Sequence, residues 1–344
     1  TSQRFRPVIE TINHYGRFLS SYLPYVASKA DKFTHLNGLS GTLPNYEAQK
    51  RELVDFPATQ HGNRFCMNLP SGLLSGGNFV PLDVNSLGGI EISLNLAPDA
   101  QVLYAVNGTT TGLTEAFYEL ENLRLHCELI VPDSPDAIPP QGQITYNAIT
   151  SYFNVINSTN AVVNFNLGTS RTLGVFMNFC PTKYLNNLGF NSFATTCPLN
   201  ADGSQAGINS VIFTKAGMRM PLSFNLDTNI KDSPDSSVVD PQIVSFARDS
   251  IQSGLNLRSQ ISPVNTNRSY TGATPPLTAD GGPMECLGVP FDTTGTGNGE
   301  DFSTTPFGVQ MELDLTSDSP NALFLFVKSR QTLLFGPQGL QIVQ

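Results

Sequence analysis

Four histidines, five cysteines and 28 acidic side chains are the groups from which this chain could build a catalytic or metal site. Their spacing builds none. His14, His35, His61 and His126 stand in unrelated settings, with no H-E-x-x-H and no pair at i, i+4, so neither a zinc helix nor a histidine-based triad is spelled out. Cys66, Cys127, Cys180, Cys197 and Cys286 lie far apart without a C-x-x-C. An odd, scattered set reads as reduced, mostly buried thiols. Glu300-Asp301 and the pair Asp232 and Asp235 sit in polar stretches where nothing raises a carboxyl pKa for acid–base work.

The loop motifs are equally plain. Gly295-Thr296-Gly297-Asn298-Gly299 has the glycines of a phosphate loop, but Glu300-Asp301 follows where a helix amino terminus would be needed. It reads as a turn. Asp202-Gly203 and Asp280-Gly281-Gly282 are turn signals without the carboxylate spacing of a calcium loop. Leu74-Ser75-Gly76-Gly77 lacks the glycine two residues before the serine that a nucleophile elbow requires. Asn107, Asn157 and Asn267 head N-x-S/T triplets, idle without secretion. No catalytic, cofactor-binding or metal-binding residue is therefore assigned, and no cofactor is expected.

Composition points the same way. A net charge of −9 and the lack of any basic cluster denser than Lys50-Arg51 argue against direct packing on nucleic acid, which needs grouped Lys and Arg. No apolar run nears the roughly 18 residues that span a bilayer, and no signal peptide is visible. Only 14% of residues are charged, while 29 Gly and 24 Pro punctuate the chain, favouring short strands and many turns over long helices.

The elements follow from periodicity. Ile12, Tyr15, Leu19, Tyr22, Leu23 and Val26 form one apolar helical face with a kink at Pro24. Period two begins at Ile90, Ile92, Leu94 and Leu96, and returns at Leu123, Leu125, Cys127, Leu129 and Val131; both predict half-buried strands. His126 falls on the polar phase of the second, as a solvated imidazole would. Four prolines between 132 and 140 mark the domain boundary. Beyond it, 163–167 alternates, 173–179 is a continuous apolar run fit for a strand covered on both faces, and 218–226 alternates again. Asp240 and Pro241 open a helix carrying Ile243, Val244, Ala247 and Ile251. Residues 255–306 read as one long surface loop, and strands close the chain at 309–315, 323–327 and 332–335. Within that loop Phe291, Phe302 and Phe307 are candidate intersubunit contacts; anchoring the loop to its own chain is the equal alternative.

One echo suggests repetition. Gly89-Ile90-Glu91-Ile92-Ser93-Leu94-Asn95-Leu96 is matched 219 residues on by Gly308-Val309-Gln310-Met311-Glu312-Leu313-Asp314-Leu315. Two β modules then divide the chain into 1–137, with a helical amino-terminal segment, and 138–344, with the long loop. The first has only 88 residues ahead of its echo, so it is short of strands.

Residues 82–96, Tyr118-Glu119-Leu120-Glu121-Asn122-Leu123-Arg124-Leu125 and Asn321-Ala322-Leu323-Phe324-Leu325-Phe326-Val327-Lys328-Ser329-Arg330-Gln331-Thr332 carry a family resemblance. They resemble the closing strands of the two rolls in double jelly-roll major capsid proteins of the adenovirus–tectivirus lineage, in the form found in virophages and Polinton-like viruses. The resemblance implies an all-β fold of two tandem jelly-roll sandwiches, the first incomplete, with a few short helices. It also implies a homotrimer of pseudo-hexagonal outline that tiles an icosahedral shell of a double-stranded DNA virus. The partners it implies are the chain itself, neighbouring capsomers, minor capsid or penton proteins and, in some relatives, an internal membrane. The location it implies is the virion capsid, assembled in the host cytoplasm or nucleus. Two other readings stay open: a carbohydrate-binding or carbohydrate-active jelly roll, which the lack of tryptophan disfavours, and a minor capsid or spike protein.

Overall fold

The computed structural model describes residues 8–19, 64–66, 69, 71–75, 80–81, 89–105, 116–134, 138–193, 197–203, 206, 208–220, 287–292, 296–315 and 319–344. Their regular structure is almost wholly β. Among the described residues between 142 and 343 nine strands are seen: β1 (Gly142–Ile156), β2 (Asn160–Phe165), β3 (Thr172–Pro181), β4 (Ile208–Lys215), β5 (Met218–Met220), β6 (Leu287–Pro290), β7 (Phe307–Leu313), β8 (Asn321–Gly336) and β9 (Gly339–Val343). Among the described residues helix is confined to residues 15–19, Gly72–Ser75 and Asp99–Val102, with a 3-10 turn at Thr182–Tyr184.

The pairing has a simple rule. β1 pairs with β8, β2 with β7, β3 with β6 and β4 with β5, all antiparallel. In each pair the strand numbers add to nine, so the eight strands form one long hairpin folded at the β4–β5 turn. Further pairing of β3 with β8 and of β4 with β7 rolls that hairpin on itself. Two sheets result, β1-β8-β3-β6 and β2-β7-β4-β5, with β9 added beside β8. Eight antiparallel strands rolled in this order are a jelly roll.

Side-chain alternation explains the layering. β2 alternates exposed and buried along its whole length, and β7 does so from Val309 onward, because one face meets the core and the other does not. β3 is buried at all ten positions. Its Val175, Met177 and Phe179 enter the core between the sheets beside Leu323, Leu325 and Val327 of β8. The opposite phase, Phe176 and Cys180 with Phe324 and Phe326, packs under Phe18, Leu19, Tyr184 and Leu199. Residues 8–19, 184–193 and 197–199 thus supply a third layer over the outer face of the first sheet. Farther along the sheet, Leu73 packs with Ile144, Tyr146 and Leu333, which share the phase of Leu323, Leu325 and Val327 and form a separate cluster. Gly72 approaches so closely that a Cβ there would lie 1.8 Å from the Asn147 carbonyl oxygen.

Several sequence expectations change. The closing segments at 323–327 and 332–335 are one continuous 16-residue strand, β8, because Lys328-Ser329-Arg330-Gln331 stays hydrogen-bonded to β1 throughout. The proposed surface loop 255–306 contains a buried strand, β6, and a segment, 296–306, that packs onto the sandwich; residues 255–286 and 293–295 lie outside the described residues. The helix expected from Asp240 also lies outside them, as do residues 20–30 and 221–226. Residues 90–96 and 123–131, expected as half-buried strands, belong to no strand, and both phases of each are exposed. Alternation states a preference for a sheet, and these two stretches have no sheet partner among the described residues.

Candidate assembly surface

No cluster of three or more His, Cys, Asp or Glu that could hold a metal occurs among the described residues. His14 is wedged against the rings of Phe153 and Phe324, at 5.8 and 5.0 Å, and burial with the nearby Arg17 lowers its pKa, keeping it neutral. His126 is exposed; His35 and His61 lie outside the described residues. Of the cysteines, Cys180 and Cys197 are buried, but Cys66 and Cys127 are exposed, so the expectation of mostly buried thiols holds for only half of those described. Burial raises the Cys180 pKa despite the neighbouring Arg17, so its thiol stays protonated and a poor nucleophile.

The glycine-rich turn has its amides occupied. Thr296 and Gly297 donate their backbone N–H groups to the Asp292 carboxylate at 3.1 and 2.7 Å, and Arg330 Nη1 donates to the Thr296 carbonyl at 3.1 Å. An internal carboxylate already sits where a phosphate would have to bind. Glu300 pairs with Lys215 and exchanges two backbone hydrogen bonds with Thr172, each 2.8 Å. Asp301 is held below the usual carboxylate range by the backbone N–H of Ser303, the reverse of a general acid.

Phe291, Phe302 and Phe307 come together, but inside one protomer. Their ring centroids lie 5.2, 5.5 and 6.0 Å apart in tilted and edge-to-face contacts. Phe302 and Phe307 are 1% and 0% exposed within the inter-sheet core, and Phe291 packs half-buried against it. Phe302 N–H also donates to Thr169 O at 2.8 Å, and the Lys215 ammonium lies 5.3 Å from its ring centre. Phe302 and Phe307 therefore have no side-chain surface left for a neighbour, and the structure gives the anchoring role to the cluster. The reason is the rolled topology, which brings 296–307 across the open end of the sandwich.

The surface that is available lies elsewhere. Within residues 90–131, eleven large apolar side chains are exposed, from Ile90 at 37% to Val131 at 86%. A second, smaller set lies on the edges of the sandwich: Phe153 and Val155 near the end of β1, Val162 on β2 and Met218 on β5. Large apolar side chains exposed in such number are the material from which interaction surfaces are built.

Sequence reasoning passed over three buried polar groups. Lys328 sits in β8 between Ile149 and Gly174, only 2% exposed; burial pushes its pKa down to about 7 against the opposing pull of Asp292. A lysine inside the apolar run 322–327 onward was the available signal. Arg17 is buried with its guanidinium 5.6 and 5.4 Å from the rings of Phe193 and Phe324, and it donates to Ser192 O. Glu10 accepts from Ser71 Oγ and, at 2.9 Å, from Gly72 N–H, tying residues 8–19 to the helix beside β1; burial raises its pKa more than these bonds lower it. Glu10 and Arg17 hold the third layer in place.

No family model and no curated protein matches the chain. Solved structures similar to it are viral major capsid proteins. The PBCV-1 virus capsid is 10% identical, with 60% of this chain and 52% of that one covered at a TM-score of 0.33. The Faustovirus major capsid protein is 8% identical, with 57% and 34% covered at 0.34. The Sputnik virophage structure is 14% identical, with 63% and 40% covered at 0.27. The chain thus spans about half of these proteins or less. The class defined by the hydrogen bonds among the described residues is a jelly-roll sandwich with a third layer.

Proposed function

We propose that this chain is a capsid building block: a structural protein of a virion whose protomers associate into pseudo-hexagonal homotrimers that tile an icosahedral shell. The observation that carries the reading is the rolled pairing of β1–β8 together with the exposed apolar side chains of 90–96 and 117–131 outside it. A jelly roll closes its own core and leaves loops and edges for lateral contact, and closed rotational symmetry is the common outcome when identical copies meet. Residues 1–137 are proposed as a reduced first module and 138–344 as the full one, so that three chains present six related units. The proposed partners are other copies of the chain and minor capsid or penton proteins, with no direct contact to the genome, in keeping with the net charge of −9.

Light scattering on the purified chain, with negative-stain images of the same peak, tests this. The expected species has a mass near 112 kDa, three times 37.2 kDa, and a hexagonal outline. A folded monomer that forms no arrays at high concentration overturns the proposal and makes glycan binding, another use of jelly rolls, the next assay.

A further inference from the structure

We propose that the exposed stretch 123–131, with 90–96 beside it in composition, is a donor strand that completes the sheet edge of a second copy of this chain at β1. This rests on the assembly reading above and names the joint it uses.

Three observations carry it. The first is pattern. Residues 89–96 repeat the alternation of residues 308–315, and the latter run through β7, which is paired on both sides, with β2 and β4. Residues 123–131 show the same period with Leu123, Leu125, Cys127, Leu129 and Val131 in one phase. Within this protein, such sequences are strand sequences. Yet both stretches lie outside every strand of their own protomer with their apolar phase in solvent.

The second is area. Taking roughly 150–200 Å² for a fully exposed large side chain, the eleven exposed residues of 90–131 present roughly 1,000 Å² of apolar surface. A standard interface takes about 800 Å² from each partner. The surface is thus of the size that a stable contact between copies consumes.

The third is the acceptor. β1 is the terminal strand of its sheet, and beyond Ser151 its side chains Phe153 and Val155 are exposed on the outer face. A strand laid along that edge would satisfy backbone donors and acceptors and set apolar side chains against these two. Donor and acceptor thus lie at different places on one chain, a head-to-tail arrangement. Such contacts close into a ring when the rotation permits, and a ring of three is the assembly proposed above.

Two measurements test the joint. In a Cys66→Ser, Cys286→Ser background, chains carrying native Cys127 are mixed with differently tagged chains carrying Cys127→Ser with Phe153→Cys or Val155→Cys, and treated with a short bismaleimide. The expected product links the two tags. Separately, Leu123→Asp, Leu125→Asp and Leu129→Asp together should weaken self-association at least about 100-fold by sedimentation. The circular dichroism and unfolding midpoint of the monomer should not change, since these exposed side chains support no core of the sandwich. A triple variant that assembles like the parent, or no link between tags, overturns the joint while leaving the trimer reading intact. An assembly of another size that the triple variant dissociates keeps the joint and removes the trimer. A parent that is monomeric and unlinked removes both.

Discussion

At the scale of single residues, burial decides between roles that sequence leaves equal. Phe302 and Phe307 stand in a stretch rich in Gly, Pro, Thr and Ser, where an aromatic ring can serve a neighbour or its own chain. Their near-zero exposure assigns them to their own chain. Phe302→Ala should therefore lower the unfolding free energy of the monomer by about 3–5 kcal/mol, as cavities at buried phenylalanines do. Urea unfolding of dilute protein measures it; an unchanged midpoint would return Phe302 to the surface. Lys328 poses a different question, since a cation in the middle of a sheet costs stability. Its folded pKa, about 7, lies below the unfolded value near 10.4. Between those values the unfolded chain binds more protons, so stability rises with pH from 7 toward 10 and the cost is fully present below pH 7. Lys328→Met should stabilise by about 1–4 kcal/mol at pH 7, and the gain should vanish above about pH 10.5. Chemical denaturation at the two pH values checks both the sign and the window.

At the scale of elements, the turn between β4 and β5 shows how local chemistry can be improved without touching the core. Ala216 and Gly217 both have positive φ, 50° and 79°, the geometry of a two-residue hairpin turn that favours Asn-Gly. Alanine is strained there. Ala216→Asn should raise the melting temperature, with a gain of roughly 1 kcal/mol, measured by thermal unfolding. The same scale shows what the sequence could and could not say. The all-β class, the strand buried on both faces at 173–179 and the alternation through β7 were legible, because period and burial are written locally in Val, Phe, Leu and Met. β6 was not, because Leu287-Gly288-Val289-Pro290 is too short to show a period and owes its place to pairing with β3. The stretches 90–96 and 123–131 were misjudged for the opposite reason: their period is clear, but a strand needs a partner, and period cannot name one. Burial of Phe302 was hidden on the same ground, since it depends on residues 130 positions away, such as Thr172 with its bridge to Glu300.

At the scale of the whole molecule, the sandwich has one sheet whose outer face is covered along β3 and much of β8 but open at the end of β1, and one sheet that keeps an exposed, largely polar outer face. Val162, Gln310 and Glu312 lie on that second face. The third layer over the first sheet is held by few but specific bonds: Asn13 N–H to Ser151 Oγ at 3.0 Å, Ser151 Oγ to Asn13 O at 2.9 Å, and the Glu10 and Arg17 contacts. If copies associate as proposed, folding and assembly are linked by mass action, and the melting temperature should climb with protein concentration. Scanning calorimetry over a hundredfold range of concentration measures this, and a flat response would mean that the protomer's stability owes nothing to its neighbours.

The nine-sum pairing also sets a clock. β1 is made early in the sandwich, but its strand partner among the described residues, β8, begins at Asn321. At a synthesis rate of 5–20 residues per second, β1 waits roughly 10–30 s on the ribosome before its ladder can form. During that interval the nascent chain has no closed first sheet, and contacts so distant in sequence also fold slowly once available. A chain ended before Asn321 should remain unfolded by circular dichroism and be cleaved rapidly by protease. If copies assemble as proposed, chains bearing an incomplete sandwich are thereby kept out of the assembly, a quality check imposed by the order of translation.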